Sequence, residues 1–258
     1  MMSNPYLQLI EAIKSQSQRI GESSTTTDFP NLLDEAEMGK DVYDCPVCDN
    51  TGVICSVDAD GARWAKECEC MKTRRSLRRI KRSGLADALE RYTFDAYETP
   101  DAKRKAVLNG AKAFCDADKG WFYIAGRSGS GKTHICTAIC GELMKQADVL
   151  YVLWRELAPR LKAIINEPEY AQEMHRLKTV PVLYIDDFLK GSNTDADINL
   201  AFELLNARYN DAKLRTIISS EFPIDIVLQM DEGLGSRIYE RSRGFMVMPP
   251  EENWRMMH

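Results

Sequence analysis

The sequence predicts an α/β fold in which a parallel sheet with flanking helices follows a small cysteine-rich N-terminal domain. Three observations support this prediction. Apolar segments of strand length alternate with segments of helical periodicity between residues 121 and 219, as in a parallel sheet covered by helices. A glycine-rich loop at residues 126–133 separates the first of these strands from the helix after it. Four cysteines, arranged in two pairs, precede this region.

Length and composition limit the classes of protein to consider. With 258 residues, the chain can form a smaller domain, which we assign to residues 1–80, and a full domain at residues 81–258. A net charge of −5 argues against nucleic-acid binding over the whole surface, but it allows a local basic groove. No apolar run is long enough to span a membrane, and the first residues lack the regions of a signal peptide. We therefore expect a cytoplasmic protein without membrane contact, whose eight cysteines are reduced or bound to metal.

The N-terminal region begins with a predicted helix, for which Asn4 is a suitable N-cap and Pro5 a suitable first residue. One face of this helix, which either packs on its own domain or docks a partner, carries Tyr6, Leu9, Ile10 and Ile13. Residues 21–28 are predicted to form a polar linker. Residues 72–82 contain seven basic side chains and no acidic one, which fits a solvated connecting helix or a contact with a phosphate backbone.

Four cysteines form a candidate zinc site. They are a C-x-x-C pair and a C-x-C pair, Cys45, Cys48, Cys68 and Cys70. Zinc takes four thiolates in a tetrahedron, and two tight turns that each present two thiolates can provide them. Residues 40–70 hold few large apolar side chains, so metal binding, on the order of 10 kcal/mol or more, would supply the missing stability. Cys55 lies in an apolar stretch and is expected to pack in the interior, although it could replace one of the four ligands. The alternative to a zinc site is that the four cysteines are unrelated thiols.

The second domain is predicted to start with a helix that Thr99 caps and Pro100 opens. The buried face of this helix carries Val107, Ala111 and Phe114, and that of the helix after the loop carries Ile135, Ala138, Ile139 and Leu143. Strands are expected at residues 121–125, 149–154, 182–185 and 216–219. Helices are expected near residues 155–165 and 169–178, and at the periodic positions Ile198, Ala201, Phe202 and Leu205.

The loop has the sequence GRSGSGKT and fits the phosphate-binding pattern G-x-x-x-x-G-K-[ST] at every position. Its glycines let successive backbone amides point at phosphate oxygens, at the positive end of the helix that follows. Lys132 is expected to reach the β- and γ-phosphates, and the Thr133 hydroxyl to bind Mg²⁺. The predicted nucleotide-binding residues of the loop are Gly126, Ser128, Gly129, Ser130, Gly131, Lys132 and Thr133.

Two carboxylates follow an apolar strand about fifty residues after the loop. Asp186 is the expected second ligand of Mg²⁺, and Asp187 would orient or deprotonate the attacking water. A further strand ends at Glu221, at a point suited to sensing the γ-phosphate or the water. Beyond it, Arg237 and Arg241 are four residues apart and therefore share one face of a predicted helix.

In the order and content of these motifs, residues 40–255 resemble the bacterial replicative-helicase loaders of the DnaC/DnaI type. These loaders are AAA+ ATPases, so the resemblance implies a P-loop AAA+ sheet. It implies that Gly126–Thr133 is the Walker A motif and that Asp186 and Asp187 form Walker B. Glu221 then stands at the position called sensor 1.

The same resemblance implies roles for three arginines. Arg241 would be an arginine finger that acts on the nucleotide of a neighbouring protomer, Arg237 its companion, and Arg255 a sensor 2 residue. It also implies ATP, Mg²⁺ and Zn²⁺ as cofactors, with protomers that self-associate on the ring of a replicative hexameric DNA helicase. The implied function is ATP-dependent loading of that helicase onto single-stranded DNA, with the N-terminal region gripping the helicase.

Three other functions fit parts of the same pattern. The ATPase helper of an insertion-sequence transposase (the IstB type) shares the core motifs, but typically lacks the cysteine region. A P-loop kinase would need a lid that bears arginines and a pocket for its acceptor, and the paired acids with the distal arginines fit hydrolysis better. A zinc-dependent nucleic-acid-binding module with a degenerate nucleotide site would bind DNA without regard to ATP.

Overall fold

A computed structural model describes residues 45–57, 63–75, 86–191 and 194–256. The predicted helix at Pro5, the linker at residues 21–28 and the part of the basic segment beyond Arg75 lie outside these ranges. The chain divides into two compact units, Met1–Arg74 and Arg75–His258, and each is described by itself.

The described part of the first unit is built on an antiparallel hairpin. Strands β1 (Val53–Val57) and β2 (Arg63–Glu67) pair from Val53 opposite Glu67 to Val57 opposite Arg63. Residues 70–75 are helical. The buried residues of the hydrophobic cluster here are the four paired cysteines and Met71. The buried interior of the described part of this unit is therefore mostly sulfur. Cys55 is exposed, so the prediction that it packs is wrong, because its side chain alternates onto the open side of β1.

The second unit contains a five-stranded sheet. Its strands are β3 (Trp121–Ala125), β4 (Val149–Leu153), β5 (Val182–Phe188), β6 (Arg215–Ser220) and β7 (Met246–Val247). Their order across the sheet is β4-β5-β6-β3-β7, and every pairing is parallel. All five residues of β3 are buried, as expected for a central strand covered on both faces. The predicted parallel α/β sheet is confirmed.

Helices connect these strands and cover them. In chain order they are α1 (Ala86–Arg91), α2 (Ala102–Asp116), α3 (Lys132–Leu143), α4 (Trp154–Ala163), α5 (Pro168–Thr179), α6 (Asp195–Tyr209), α7 (Ile224–Met230) and α8 (Glu232–Ser242). A single 3₁₀ turn, Trp254–Met256, follows β7. The buried positions predicted for α2 and α3 are confirmed. Apolar burial of this kind contributes about 1.5–3 kcal/mol for each large side chain.

Three predicted boundaries are wrong, each for a local reason. Asp101, not Thr99, caps α2, because its carboxylate accepts a hydrogen bond from the Arg104 amide (2.8 Å). Trp154 begins α4 instead of ending β4, since its ring packs edge-on against Phe188 in the core (5.1 Å). Strand β5 runs to Phe188, so the paired carboxylates lie within the strand and not after it.

Among the buried charged side chains of the second unit, one arginine pairs several backbone carbonyls. Arg208 of α6 is fully buried and donates to the carbonyls of Leu177, Val180 and Arg215 and to the hydroxyl of Thr216. Three of these partners are backbone carbonyls at the ends of α5 and β6, groups that a buried chain must satisfy. Arg208 therefore joins α6 to α5 and β6 by donating to backbone carbonyls at the ends of those two elements.

Candidate functional site

The glycine-rich loop lies at the carboxyl end of β3 and leads directly into α3. Gly129 and Gly131 have φ values of 78° and 95°, in the left-handed region that favours glycine. At Gly129 the space is also filled, because the Asn253 side chain occupies the position that a Cβ would take. The Trp254 amide donates to the Gly129 carbonyl (3.0 Å). The loop is thus held in shape by its own glycines and by the chain segment after β7.

Lys132 is the first residue of α3, and its side chain is buried beneath the loop. Its ammonium donates to the carbonyls of Gly126 (2.6 Å) and Arg127 (2.9 Å). Burial lowers the pKa of Lys132, while the carboxylates of Glu221 and Asp187 oppose this effect. A cation held in the mouth of an amide-lined loop is suited to binding phosphate oxygens.

Asp186 is buried and has three hydroxyl partners. The Ser219 hydroxyl donates to Oδ1, and the hydroxyls of Tyr151 (3.3 Å) and Thr133 (3.5 Å) donate to Oδ2. The structure therefore brings together the two residues predicted to bind Mg²⁺, Thr133 and Asp186. Mg²⁺ prefers hard oxygen ligands and usually keeps several waters. A carboxylate and a hydroxyl facing each other beside a phosphate-binding loop fit such an ion.

A β-bulge determines how the second carboxylate is presented. The register between β5 and β6 shifts between Ile185 and Phe188, and Asp187 within this interval has a φ of 51°. The left-handed conformation is uncommon outside glycine, although aspartate tolerates it, and it often marks a functional site. The Asp187 amide donates to the Ser219 hydroxyl (3.2 Å), which ties the bulge to β6. The side chain of Asp187 then lines the cavity beside the loop.

Lys190 joins two of the predicted catalytic acids. Its ammonium is 2.8 Å from a carboxylate oxygen of Glu221 and 3.3 Å from one of Asp187. The hydrogen bond to Glu221 is the main reason that the pKa of Lys190 is raised. Sequence reasoning missed this lysine. The sequence feature that could have identified it is a basic residue three positions after Asp187, just beyond the strand that carries the two acids.

The loop and Asp187 border one cavity of about 240 Å³. Its lining residues are Tyr92, Ser128, Gly129, Gly131, Lys132, Thr133, His134, Asp187, Lys190 and Trp254. Of these, Tyr92, His134, Lys190 and Trp254 were not predicted. Tyr92, Lys190 and Trp254 lie on three separate segments that only the fold brings to the loop, whereas His134 directly follows Thr133.

His134 connects the cavity to the segment before α2. Its ring stacks on Tyr92 (4.9 Å between centroids) and meets Tyr97 edge-on (5.1 Å). Its Nε2 is 2.9 Å from the carbonyl of Thr93, so this nitrogen carries the proton and donates it. Burial lowers the pKa of His134, and the ring is therefore neutral near pH 7.

The two arginines predicted to act in catalysis do not reach this cavity within the same chain. Arg237 donates to the Asn206 side chain (2.8 Å) and stacks over Phe202 (4.9 Å). Arg241 donates to the carbonyl of Asp211 (3.1 Å), and its guanidinium is 5.9 Å from the ring centroid of Trp121. Trp121 begins β3, whereas the loop follows the other end of that strand.

The remaining predicted site residues lie in the loop, directly after β6 and in the turn after β7. Ser130 is buried within the loop, and Ser128 lines the cavity. Glu221 directly follows β6, beside Lys190. Arg255 lies in the turn Trp254–Met256, next to the residue that bonds Gly129, and the prediction for its side chain falls outside what the structure describes.

The four paired cysteines form a second candidate site. All four Sγ atoms lie within 4.8 Å of one another. The distance between the sulfurs of Cys45 and Cys68 is 3.8 Å, and that between Cys48 and Cys70 is 3.6 Å. A tetrahedral zinc with Zn–S bonds of about 2.3 Å has S···S edges of about 3.8 Å. The sulfur spacing therefore fits zinc, although the second pair has the less common C-x-C spacing.

Backbone and side-chain groups around this cluster orient its sulfurs. Asn50, with a left-handed φ of 67°, accepts from the Cys45 amide (2.8 Å) and from the Arg74 guanidinium (2.9 Å). Burial disfavours a thiolate at Cys48, but a hydrogen bond from the Gly52 amide and the neighbouring thiols lower its pKa to about 7. Burial raises the pKa of Cys70.

The chain matches known proteins in sequence. The model of the IstB-like ATP binding protein family matches residues 63–241. The uncharacterised protein YqaM of Bacillus subtilis (strain 168) is 31% identical over 227 residues, which are 80% of this chain and 71% of YqaM. The phage-like element PBSX protein XkdC of the same organism is 30% identical over 237 residues, which are 85% of this chain and 87% of XkdC.

The fold also has a solved counterpart. The crystal structure of the DnaC helicase loader is similar with a TM-score of 0.56 at 21% identity, over 64% of this chain and all of that one. At this identity the likeness shows the fold, and the predicted resemblance is confirmed at the level of family and fold. Among the described residues, no helix has the length and apolar character needed to cross a membrane.

Proposed function

The chain belongs to the IstB-like ATP-binding protein family, and on that premise we propose that it is an Mg²⁺-dependent ATPase that loads a hexameric replicative DNA helicase onto single-stranded DNA. One observation supports the ATPase activity above all others. The phosphate-binding loop and the bulged Asp187 line one cavity together with Thr133, whose hydroxyl donates to Asp186. The loader role rests on the similarity in fold to the DnaC helicase loader.

The site residues then have distinct roles. The amides of Gly126–Thr133 and the ammonium of Lys132 would bind the phosphates, and Thr133 and Asp186 would hold Mg²⁺. When bound, this ion neutralises charge on the phosphate oxygens. The carboxylate of Asp187 orients the attacking water and accepts its proton. The bulge fixes that carboxylate against the cavity, which reduces the entropic cost of positioning it.

We assign Arg241 to the site of a neighbouring protomer, because its own chain holds it at the other end of β3. Self-association on a partner ring would then be required for fast hydrolysis. Arg241→Ala is expected to bind ATP within about twofold of wild type but to lose roughly 10³-fold in partner-stimulated turnover. Steady-state phosphate release with and without the partner measures this. Arg243→Ala, which removes an exposed arginine two residues away, is the matched control. An equal loss of ATP affinity and rate would instead make Arg241 a structural residue.

The helicase is proposed to contact residues 1–80, and the cysteine cluster is proposed to hold one zinc ion that keeps part of this region folded. The loader role is tested by size-exclusion chromatography of the full chain with a candidate helicase, with and without ATP. The expected result is a joint complex of the chain and the helicase. In response to ATP, this complex should release the helicase bound to single-stranded DNA. Co-elution that ignores the nucleotide, or no co-elution with any replicative helicase, would contradict loading.

A second candidate function follows from the description of the matching family, IstB-like, over residues 63–241. In this alternative, the same ATPase would assist an insertion-sequence transposase. Pull-down of purified transposase and purified helicase by the full chain separates the two proposals. Binding of the transposase alone, in an ATP-dependent manner, would support the alternative, and ATP hydrolysis would be common to both.

A further inference from the structure

We propose that Lys190 is a specificity-determining residue that distinguishes ATP from ADP: when ATP is bound, its ammonium moves away from Asp187 and Glu221 and contacts the γ-phosphate. This inference rests on the proposed function, because it concerns the same ATP site. It adds to that site a residue that lies outside the Walker motifs and a reason for the acidic side chain at residue 221.

The first support is the position of the ammonium group. Lys190 contacts Glu221 at 2.8 Å and Asp187 at 3.3 Å, and it lines the same cavity as Lys132 and Gly129. It therefore lies between the two acids and the loop that would hold the phosphates. The side chain is 26% exposed, and its four-carbon stem is flexible, so the ammonium can move within the cavity.

The second support is the local backbone, which directs Lys190 back toward the acids. Leu189 has a φ of 59° and Gly191 a φ of 115°, so a left-handed residue flanks the lysine on each side. The Lys190 amide donates to the Asp187 carbonyl (3.0 Å), which closes the turn. Because this turn follows directly from the β-bulge, the lysine and the bulged aspartate are presented to the cavity as one unit.

The third support is the balance of charge. Asp186, Asp187 and Glu221 bring three carboxylates to this region, which two lysines, Lys132 and Lys190, face. A γ-phosphate beside Asp187 adds negative charge where like charges already repel. Movement of the Lys190 ammonium toward the phosphate relieves that repulsion. ADP lacks the γ-phosphate and leaves the ion pairs of Lys190 in place.

A consequence for Asp187 follows. In the free protein its carboxylate is held in an ion pair with Lys190, which keeps it from accepting a proton from water. When the ammonium moves to the γ-phosphate, the carboxylate becomes available to the attacking water. In this scheme Glu221 binds Lys190 in the absence of ATP. This explains why residue 221 is acidic, since a carboxylate that contacted the γ-phosphate directly would repel it.

The test is the ratio of the dissociation constants for ADP and ATP, measured by titration calorimetry with Mg²⁺ on the full chain. Lys190→Met is expected to weaken ATP binding about tenfold, the loss of one charge-assisted contact, and to change ADP binding by less than about twofold. Lys190→Arg keeps the positive charge and should retain most of the preference for ATP over ADP. Its retention would show that substitution at residue 190 does not by itself cause misfolding. Lys178→Met is the matched control, since Lys178 is 27% exposed and pairs with Glu203 (2.6 Å) away from the cavity.

A double-mutant cycle makes the test specific to the exchange of partners. Glu221→Gln should strengthen ATP binding a few-fold, because it frees Lys190, and should have no such effect in the Lys190→Met background. Equal weakening of ATP and ADP in Lys190→Met, or an effect of Glu221→Gln that persists without the lysine, would overturn the inference while wild type still binds ATP. If wild type binds neither nucleotide, the proposed function itself fails.

Discussion

The two units of this chain are stabilised by different means. Within the described residues of the first unit, the buried cluster consists of Cys45, Cys48, Cys68, Cys70 and Met71. In the second unit, aromatic and branched side chains from one face of the sheet and from the helices that cover it form a large apolar core. Small units that cannot bury enough apolar surface need a metal or a disulfide. Metal removal and core mutation should therefore each affect one unit and spare the other.

Zinc removal is expected to have the largest effect. The binding energy of a four-cysteine zinc site is on the order of 10 kcal/mol, and it serves as folding energy. A strong chelator, or Cys70→Ser, should therefore unfold the hairpin unit and leave the thermal midpoint of the sheet unit unchanged. Metal analysis and hydrogen exchange resolved along the chain measure both parts.

Cys55→Ser is the matched control for this experiment. It removes an exposed cysteine of the same hairpin that lies outside the cluster, so one zinc per chain should be retained. Protection of the hairpin amides that survives complete removal of metal would show that the two units do not differ in the proposed way.

The next largest effect is expected at Arg208. Arg208→Met keeps much of the volume but leaves the carbonyls of Leu177, Val180 and Arg215 without their buried donor. Unsatisfied buried groups of this kind cost about 1–3 kcal/mol each, so the free energy of unfolding should fall by roughly 3 kcal/mol or more. Urea denaturation of the sheet unit measures the change, and the zinc content should not alter.

Arg160→Met is the control for Arg208. Arg160 is 59% exposed, and its guanidinium pairs with Glu173 at 2.6 Å on the surface. Exposed ion pairs contribute about 0–1 kcal/mol, so this variant should lose little stability. Equal losses in the two variants would mean that burial of Arg208 is not what makes it important.

Much of the fold was predictable because its signals are local. The alternation of strands and helices, the loop at residues 126–133 and the two cysteine pairs each depend on neighbours in sequence, and the structure has the expected parallel sheet and sulfur cluster. The cap of α2 was misassigned because Thr99 and Asp101 are both good caps. Only the contact of Asp101 with the Arg104 amide distinguishes them.

The unpredicted parts of the site depend on contacts between distant segments. The bulge in β5 arises from its register with β6, which the apolar pattern of β5 alone does not specify. Tyr92 lies near the start of the second unit and Trp254 near its end, yet both line the cavity beside the loop. Lys190 pairs with Glu221, which is thirty-one residues later in the sequence. Partnerships of this kind have no period or motif to reveal them.

The smallest effect is expected from pH, and it should act on both units in the same direction. The thiolates of the cysteine cluster must lose protons to bind metal, so acid weakens zinc binding. In the sheet unit, burial lowers the pKa of His134 below its ordinary value of 6.5. The unfolded chain then binds more protons than the folded one as pH falls through that value, so stability is lost on the acid side.

His134→Gln separates these two contributions. Glutamine keeps a donor that can reach the Thr93 carbonyl but does not titrate. The variant should therefore show a smaller loss of unfolding free energy between pH 7 and pH 5 than wild type, by about 1 kcal/mol or less, with the acid release of zinc unchanged. Urea denaturation at several pH values checks the first and metal analysis the second. If His134→Gln has the same pH dependence of unfolding free energy as wild type, the acid sensitivity belongs to other groups. If it also changes the acid release of zinc, the two units do not respond to acid independently.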